Sequence, residues 1–465
     1  MKDKLSLRKR GNAVKIVLIG AGSAQFGLGT LGEIMQSPVL AGAEIALVDI
    51  DGGALDRVTR SAKAFIEEKS LPFTLAASTD RKTVLEGADF VLISIEVGNR
   101  FELWDQDWNL PQQYGIRQIY GENGGPGGLF HALRITPVIV EICDDVVRLC
   151  PRAFVFCYSN PMTAITTTVL RKYPELRFVG MCHEIGSLPR YLPAMLGTSA
   201  ENLACRAAGL NHFSVLLEAR YVDTGKDAYP DILAKAPGFF EREIGYSDVW
   251  DYARRGGIVR QTEGATGRFR IDRAESARPW SDRKLFREIL TRFSLLPITV
   301  DSHLGEYIPW AYDVADHKGI LDFYAFYRMT LHDAVPEIQL SLHERVIPIM
   351  EGILQDSGYE EAAVNILNAG FIPGLPSDIA VEVPAVIGAK GPAGISFPSY
   401  PRGFCALLRN YCGVYDMTAE AVLTGRRDFV VQALLVNPIV DTCSRIDELV
   451  DLMRERQKPW LDYIR

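Results

Sequence analysis

Three short stretches of this 465-residue chain gather side chains that could carry chemistry. Gly180–Met181–Cys182–His183–Glu184 follows an apolar, strand-like run, and Asn211–His212 follows another. A thiolate and an imidazole at strand ends can share a divalent cation and leave coordination positions open for water or substrate oxygens. Read singly, a cysteine there suits a small buried hydrophobe, and a histidine suits a satisfied polar residue. The third stretch, Asp301–Ser302–His303–Leu304–Gly305–Glu306–Tyr307, packs several titratable groups together, any of which could be a general base or simply solvated. Ser159–Asn160–Pro161 ends one more apolar run; its amide can point toward a ligand, although Asn-Pro also makes an ordinary turn.

Glycines mark two further places. In VLIGAGSAQFG, Gly20 and Gly22 come directly after a strand-like run, with Ser23 next and a helical pattern beyond. A tight turn there lets backbone N–H groups meet a pyrophosphate at a helix N-terminus. Gln25 stands where the dinucleotide fingerprint has its third glycine, so the motif is partial. The next apolar run ends in Asp49, an acid suited to the ribose hydroxyls of NAD and unsuited to the extra phosphate of NADP. The alternative is a glycine-rich turn for some other ligand. Gly121–Glu122–Asn123–Gly124–Gly125–Pro126–Gly127–Gly128 precedes a helical pattern, where backbone can approach a ligand closely or form a flexible loop.

The elements that must position these groups alternate. VKIVLIG, EIALVDI, FVLISIEVG, AFVFCYSNP and LRFVGMCHE are short apolar runs separated by amphipathic stretches such as 52–69 and 131–149. That rhythm predicts βαβ units. The fold class is therefore α/β: an N-terminal Rossmann-like, doubly wound parallel sheet over residues 12–209, packed against a larger mixed α+β domain over 210–465. Helical patterns are expected at 321–333, 341–357 and 418–454, with a Gly/Pro-punctuated segment at 374–401 between them. No repeat or flexible linker separates the two parts.

Lys plus Arg number 50 against 58 Asp plus Glu, a net charge of −8, which lacks the basic surplus of a nucleic-acid binder. No apolar run reaches membrane-spanning length. Eight scattered cysteines show no disulfide framework, which points to a reducing cytoplasm.

Taken in order, GAGS, VDID, GPGG followed by LRITP, SNP, CHE, NHF and DSHLGEY resemble the family 4 glycoside hydrolases. DIAVEVPAVI and LTGRRDFVVQALLVNPIVD are similar to that family's C-terminal signatures, so the resemblance runs from Val14 onward. It implies hydrolysis through transient oxidation, an exception to the two-carboxylate scheme. In that scheme NAD takes hydride from sugar C3, a base removes the C2 proton, the aglycone leaves by elimination, water adds, and the hydride returns. The resemblance makes Cys182 and His212 ligands of Mn²⁺ or another divalent transition metal. It makes Gly20, Gly22, Ser23, Asp49 and Asn160 the cofactor contacts, and Asn160, His183, Arg134 and Glu122 the substrate contacts. His183 is the expected leaving-group acid, with His303 or Asp301 as base. Members acting on phosphorylated sugars have Asp or Asn where this chain has His183, so a non-phosphorylated α-glycoside or uronide is implied. A C6 carboxylate would call on Arg134, Arg100 or Arg117, although Arg134 equally suits a structural ion pair. A homodimer or homotetramer is expected, with no nucleic-acid or membrane partner.

Two other functions share this fold plan. An NAD-dependent 2-hydroxy-acid or sugar dehydrogenase would show net redox turnover without metal, and a non-catalytic NAD sensor would keep the fold alone.

Overall fold

The computed structural model describes residues 13–22, 26–182, 184–261, 269–332, 338 and 345–465. Ser23 and His183, both expected at the site, lie outside the described residues. The five apolar runs form strands as expected, and a sixth, only half-buried, joins them. β1 (Lys15–Ile19), β2 (Glu44–Val48), β3 (Thr74–Ser78), β4 (Phe90–Ile93), β5 (Phe154–Cys157) and β6 (Arg177–Gly180) pair in parallel in the order β3-β2-β1-β4-β5-β6. Four of them are buried along nearly their whole length, the pattern of a sheet covered on both faces.

The second part does not build a separate sheet. β7 (Leu203–Leu210) and β8 (Phe213–Tyr221) form a hairpin, β9 (Arg260–Gln261) and β10 (Phe269–Arg270) a small ribbon, and β11 (Leu296–Pro297) lies beside β8. β12 (Tyr359–Leu367), β13 (Ala380–Gly388) and β14 (Gly391–Gly394) follow. All but the ribbon extend the parallel strands into one 12-stranded sheet, in which β12 joins β6 and β13 joins β7. β13 and β14 fall inside the segment read as Gly/Pro-punctuated: Pro384 lies within β13, and Pro392 lies within β14.

One cross-strand row passes through both parts. Val48 pairs Ile19, Ile19 pairs Ile93, Ile93 pairs Cys157 and Cys157 pairs Gly180. Gly180 then pairs Asn365, Asn365 pairs Glu382, Glu382 pairs Gly209 and Gly209 pairs Ser214. Gly20, Gly22, Asp49, Asn160, Cys182 and His212 each lie within three residues of this row along their own strands. Two glycines are sterically required in it. A Cβ on Gly180 would lie 2.4 Å from Met162 Sδ and 2.9 Å from Asn365 Cβ, and one on Gly209 would lie 2.3 Å from Phe213 O. Between Asn365 and Gly209 in the row stands Glu382, which is 2% exposed and accepts hydrogen bonds from Asn211 Nδ2 (2.9 Å), Ser214 Oγ (2.9 Å) and Asn365 Nδ2 (3.4 Å).

The helix read over 131–149 spans Gly125–Leu149, because Pro126 near its N-terminus fits the helical start and the neighbouring glycines pack too tightly for side chains. A Cβ on Gly127 would sit 2.5 Å from Gly121 Cα. The helix buries two faces where one was expected. Ile135, Ile139, Ile142 and Val146 meet the strands, while Leu129, Phe130 and Leu133 meet Val430, Leu434, Leu449 and Met453 of the C-terminal helices. Helices Arg402–Thr424, Arg427–Leu435 and Ile446–Arg456 occupy and extend the helical pattern read over 418–454.

Arg134 belongs to this architecture. Its guanidinium is 3% exposed and grips Asp107 at 2.8 and 3.2 Å and Gln457 at 2.7 Å, while Gln457 itself donates to Asp107 at 2.7 Å. The expectation that Arg134 touches substrate is set aside for the structural ion pair, since both of its terminal nitrogens are already engaged. Arg134→Ala leaves the Asp107 carboxylate buried and unpaired, and should destabilise the protein by about 3–5 kcal/mol. A shift in the denaturant midpoint equivalent to less than about 1 kcal/mol would show that the pair does not lock these helices together.

Candidate functional site

The chain turns after β1 at Gly20, Ala21 and Gly22. Gly20 has φ +88°, and a Cβ there would sit 1.9 Å from Ser94 O. Gly22 donates to Asp49 Oδ2 at 2.7 Å, and a Cβ on it would come within 2.6 Å of the same oxygen. At these two positions bare backbone fits and a side chain does not. Asp49 ends β2 and also accepts from Asp51 N at 2.9 Å, so its carboxylate is fixed beside the turn. On the neighbouring strand end, Ser159 Oγ donates to Ile95 O at 2.8 Å and accepts from Ile95 N at 3.0 Å, tying the loop that carries half-buried Asn160 to the end of β4.

His212 comes from a two-residue turn, Asn211–His212, which joins β7 to β8 in an antiparallel hairpin. Its φ of +61° is a left-handed conformation that a histidine adopts at a cost, so the surrounding hairpin holds it there. Its ring lies 4.5 Å, centroid to centroid, from that of His303. Glu184, just past Cys182, reaches the same place, and its Oε1 is 3.8 Å from His303 Nε2 while accepting from Thr299 Oγ1 at 2.6 Å. One ligand atom each from Glu184, His212 and His303 lies within 4.8 Å of the others. Cys182 is not one of these three; its half-buried thiol lies beside the Asn211 side chain and the Glu382 and Glu184 carboxylates.

Carboxylates outnumber cations around the two imidazoles. His303 Nδ1 is 3.8 Å from Glu122 Oε2 and 3.9 Å from Glu306 Oε2. Glu306 is 1% exposed and accepts the N–H of Glu122 at 2.6 Å and of Asn123 at 3.1 Å, so it fastens the glycine-rich loop to the segment carrying His303. Arg100 neutralises Glu122 at 2.7 Å. Burial acts to lower the His303 pKa, but Glu306, Glu184 and Glu122 outweigh it and raise the group to about 9. Burial pushes Glu184 up to about 7, only partly opposed by His303. Burial likewise holds the Cys182 thiol well above its usual value, helped by Glu382 and Glu184.

These features test the fit of a divalent cation. Three groups able to ligate converge in a partly buried space with a negative surplus, and Glu184 Oε2 is buried there without a hydrogen-bond partner. Nitrogen and carboxylate-oxygen donors suit a first-row metal. The site therefore fits such an ion.

Asp301 plays a different part from His303. Its carboxylate is fully buried and accepts the N–H groups of Leu285 (3.0 Å), Phe286 (2.9 Å) and Asp316 (2.9 Å), which occupies both oxygens. Tyr307 is buried too, stacked on Phe213 at 4.9 Å with its hydroxyl on Asn211 O. Sequence reasoning did not single out Glu184 and Glu306; their place within the CHE and DSHLGEY motifs was the available signal. Asn123 also went unremarked, although both polar atoms of its buried side chain lack partners.

Known proteins share this chain's sequence and fold. The alpha-glucosidase of Erwinia rhapontici is 60% identical over 97% of this chain and 100% of its own length. The alpha-galactosidase of Bacillus subtilis (strain 168) is 27% identical over 91% of this chain and 93% of its own. A 6-phospho-alpha-glucosidase from gut microorganisms, solved in complex with NAD and Mn²⁺, superposes with a TM-score of 0.74 at 18% identity, covering 96% of this chain and 98% of that one. The model of the family 4 glycosyl hydrolases matches residues 15–197, and that of their C-terminal domain matches 207–440. With both models spanning the sheet and a full-length relative at 60% identity, the chain belongs to family 4 of the glycosyl hydrolases.

Proposed function

We propose that this chain hydrolyses a non-phosphorylated α-glucoside, with NAD and a divalent cation such as Mn²⁺ as cofactors. The observation that carries the reading is the convergence of Glu184, His212 and His303 within 4.8 Å, in a chain 60% identical to an alpha-glucosidase. When bound, NAD would supply reversible removal of hydride from a sugar carbon, and the cation would supply positive charge for an oxygen anion developing beside that carbon.

The turn at Gly20 and Gly22, with Ser23 following, would take the pyrophosphate and Asp49 the ribose hydroxyls, while Asn160 would reach cofactor and sugar from the end of β5. Cys182 and His212 are the cation ligands that the family resemblance implies, and Glu184 is the further oxygen donor nearest them. His303 is the better general base of the two expected, because the Asp301 oxygens are engaged by three N–H groups whereas His303 Nδ1 is buried with no hydrogen-bond partner. Glu122 and Glu306 stand 3.8 and 3.9 Å from that nitrogen, and positive charge brought among these carboxylates would weaken their pull on its proton. His183 remains the expected leaving-group acid, with Glu122 beside the sugar.

A panel of p-nitrophenyl α- and β-glycosides and uronides, with NAD and Mn²⁺ each present or omitted under reducing conditions, tests the reading. Colour release from the α-glucoside should need both additives, with no NADH accumulating. Accumulation of NADH on a hydroxy acid or free sugar without glycoside cleavage would instead make the chain a dehydrogenase. NAD binding with no turnover of either kind would make it a sensor.

The roles of the two base candidates separate in a pair of variants. His303→Gln should lower kcat about a hundredfold or more while leaving the unfolding midpoint nearly unchanged. Asp301→Asn should cost stability, about 1–3 kcal/mol, because its amide turns an N–H toward a backbone donor. The reverse pattern would transfer the base role to Asp301.

A further inference from the structure

A cavity of 230 Å³ opens off the imidazole–carboxylate cluster, walled by Glu184 and His303 on one side and by Arg190, Tyr246, Arg283 and Phe323 elsewhere. It has room for about seven or eight waters, or for one monosaccharide ring. Asn160, Cys182 and His212 are not in its wall. Of the clustered groups, the cavity touches Glu184 and His303.

Arg283 is the unusual member of the wall. It is 8% exposed, its guanidinium lies 5.2 Å from the centre of the Phe240 ring, and its hydrogen bond to backbone is a long one, 3.5 Å to Ser281 O. Among the described residues no carboxylate lies within ion-pair distance of it. The adjacent Asp282 carboxylate accepts the Tyr246 N–H instead. Arginine cannot shed its proton, so the donors of a buried guanidinium that no described carboxylate engages at ion-pair distance call for acceptors. A guest in the cavity can supply them.

The chemistry of the remaining wall says what that is. Tyr246 and Phe323 offer ring faces, which suit the apolar face of a sugar. Glu184, Glu243 and Asp282 line the space together with Arg190 and Arg283, so the wall offers both acceptors and donors, which suits a neutral guest with several hydroxyls. A neutral ring bearing several hydroxyls meets all three conditions.

We infer that this cavity receives the leaving group, and that Arg283 selects a neutral sugar there over an aryl group; the inference rests on the α-glucosidase reading above. Hydroxyl oxygens of the second sugar accept from the guanidinium, and an aryl aglycone leaves those donors unsatisfied. Arg283 is thereby a specificity-determining residue that takes no part in the bond breaking.

The test compares kcat/KM for an α-linked glucose disaccharide with that for p-nitrophenyl α-glucoside, using full-length protein with NAD and Mn²⁺. Arg283→Met should lower the ratio of the two about tenfold or more, through KM for the disaccharide, and Arg283→Lys should restore part of it. Should the methionine variant fail to fold, the lysine variant, which keeps charge and bulk but loses the planar fork, should still lower the ratio measurably. An unchanged ratio in the folded variants, with wild type cleaving both substrates, overturns the assignment of Arg283 alone. A wild-type enzyme that cleaves neither glucoside overturns the underlying reading together with it.

Discussion

The arrangement of the site depends on one buried carboxylate and the donors turned toward it. Glu382 sits in the middle of a sheet, where an unpaired charge would be prohibitive, and it is tolerated because Asn211, Ser214 and Asn365 all turn donors toward it. Burial still pushes its carboxyl upward against those three donors. Two of the donors belong to the β7–β8 hairpin and the third to β12, so the carboxylate fixes the level at which the hairpin turn stands relative to β6. The turn carries His212, and the end of β6 carries Cys182. Gly180 and Gly209 are the steric half of the same constraint, since a methyl group at either would collide with the neighbouring strand or helix.

From that level the rest of the site follows as a problem in charge. Glu122, Glu184 and Glu306 approach the His303 imidazole, and among the described residues only Arg100 stands against them at ion-pair distance. The resulting field holds His303 toward its protonated form and Glu184 toward its neutral one, the condition of a site short of positive charge. The glycine-rich loop participates through its backbone, because Glu306 takes two of its N–H groups and so couples the loop's position to that of His303.

Much of the fold was legible in the sequence because parallel, doubly covered strands are nearly continuous apolar runs, and five of the six announced themselves in that way. β3 did not, since TLAAS is a half-exposed edge with little apolar signal. β13 and β14 were obscured by Gly and Pro, which read as loop punctuation. At the site, Cys182, His212 and His303 were visible as chemically capable types near strand ends or within a titratable cluster. Arg134 and Asp301 were equally capable by type, and only the donors and acceptors around them reveal that their capacity is already used. Such satisfaction depends on residues hundreds of positions away, Gln457 for Arg134, for example. Glu382 was hidden for the same reason: its partners are close in register, not in sequence.

The unbroken sheet has a mechanical consequence. Many two-part enzymes admit substrate by swinging one part away from the other about a hinge. Here a hinge between the segments matched as N- and C-terminal would have to tear β12 from β6, and the C-terminal helices would have to leave the buried face of Gly125–Leu149. Traffic of sugars in and out therefore falls to the loops above the strand ends, while the frame beneath them stays shut throughout the cycle.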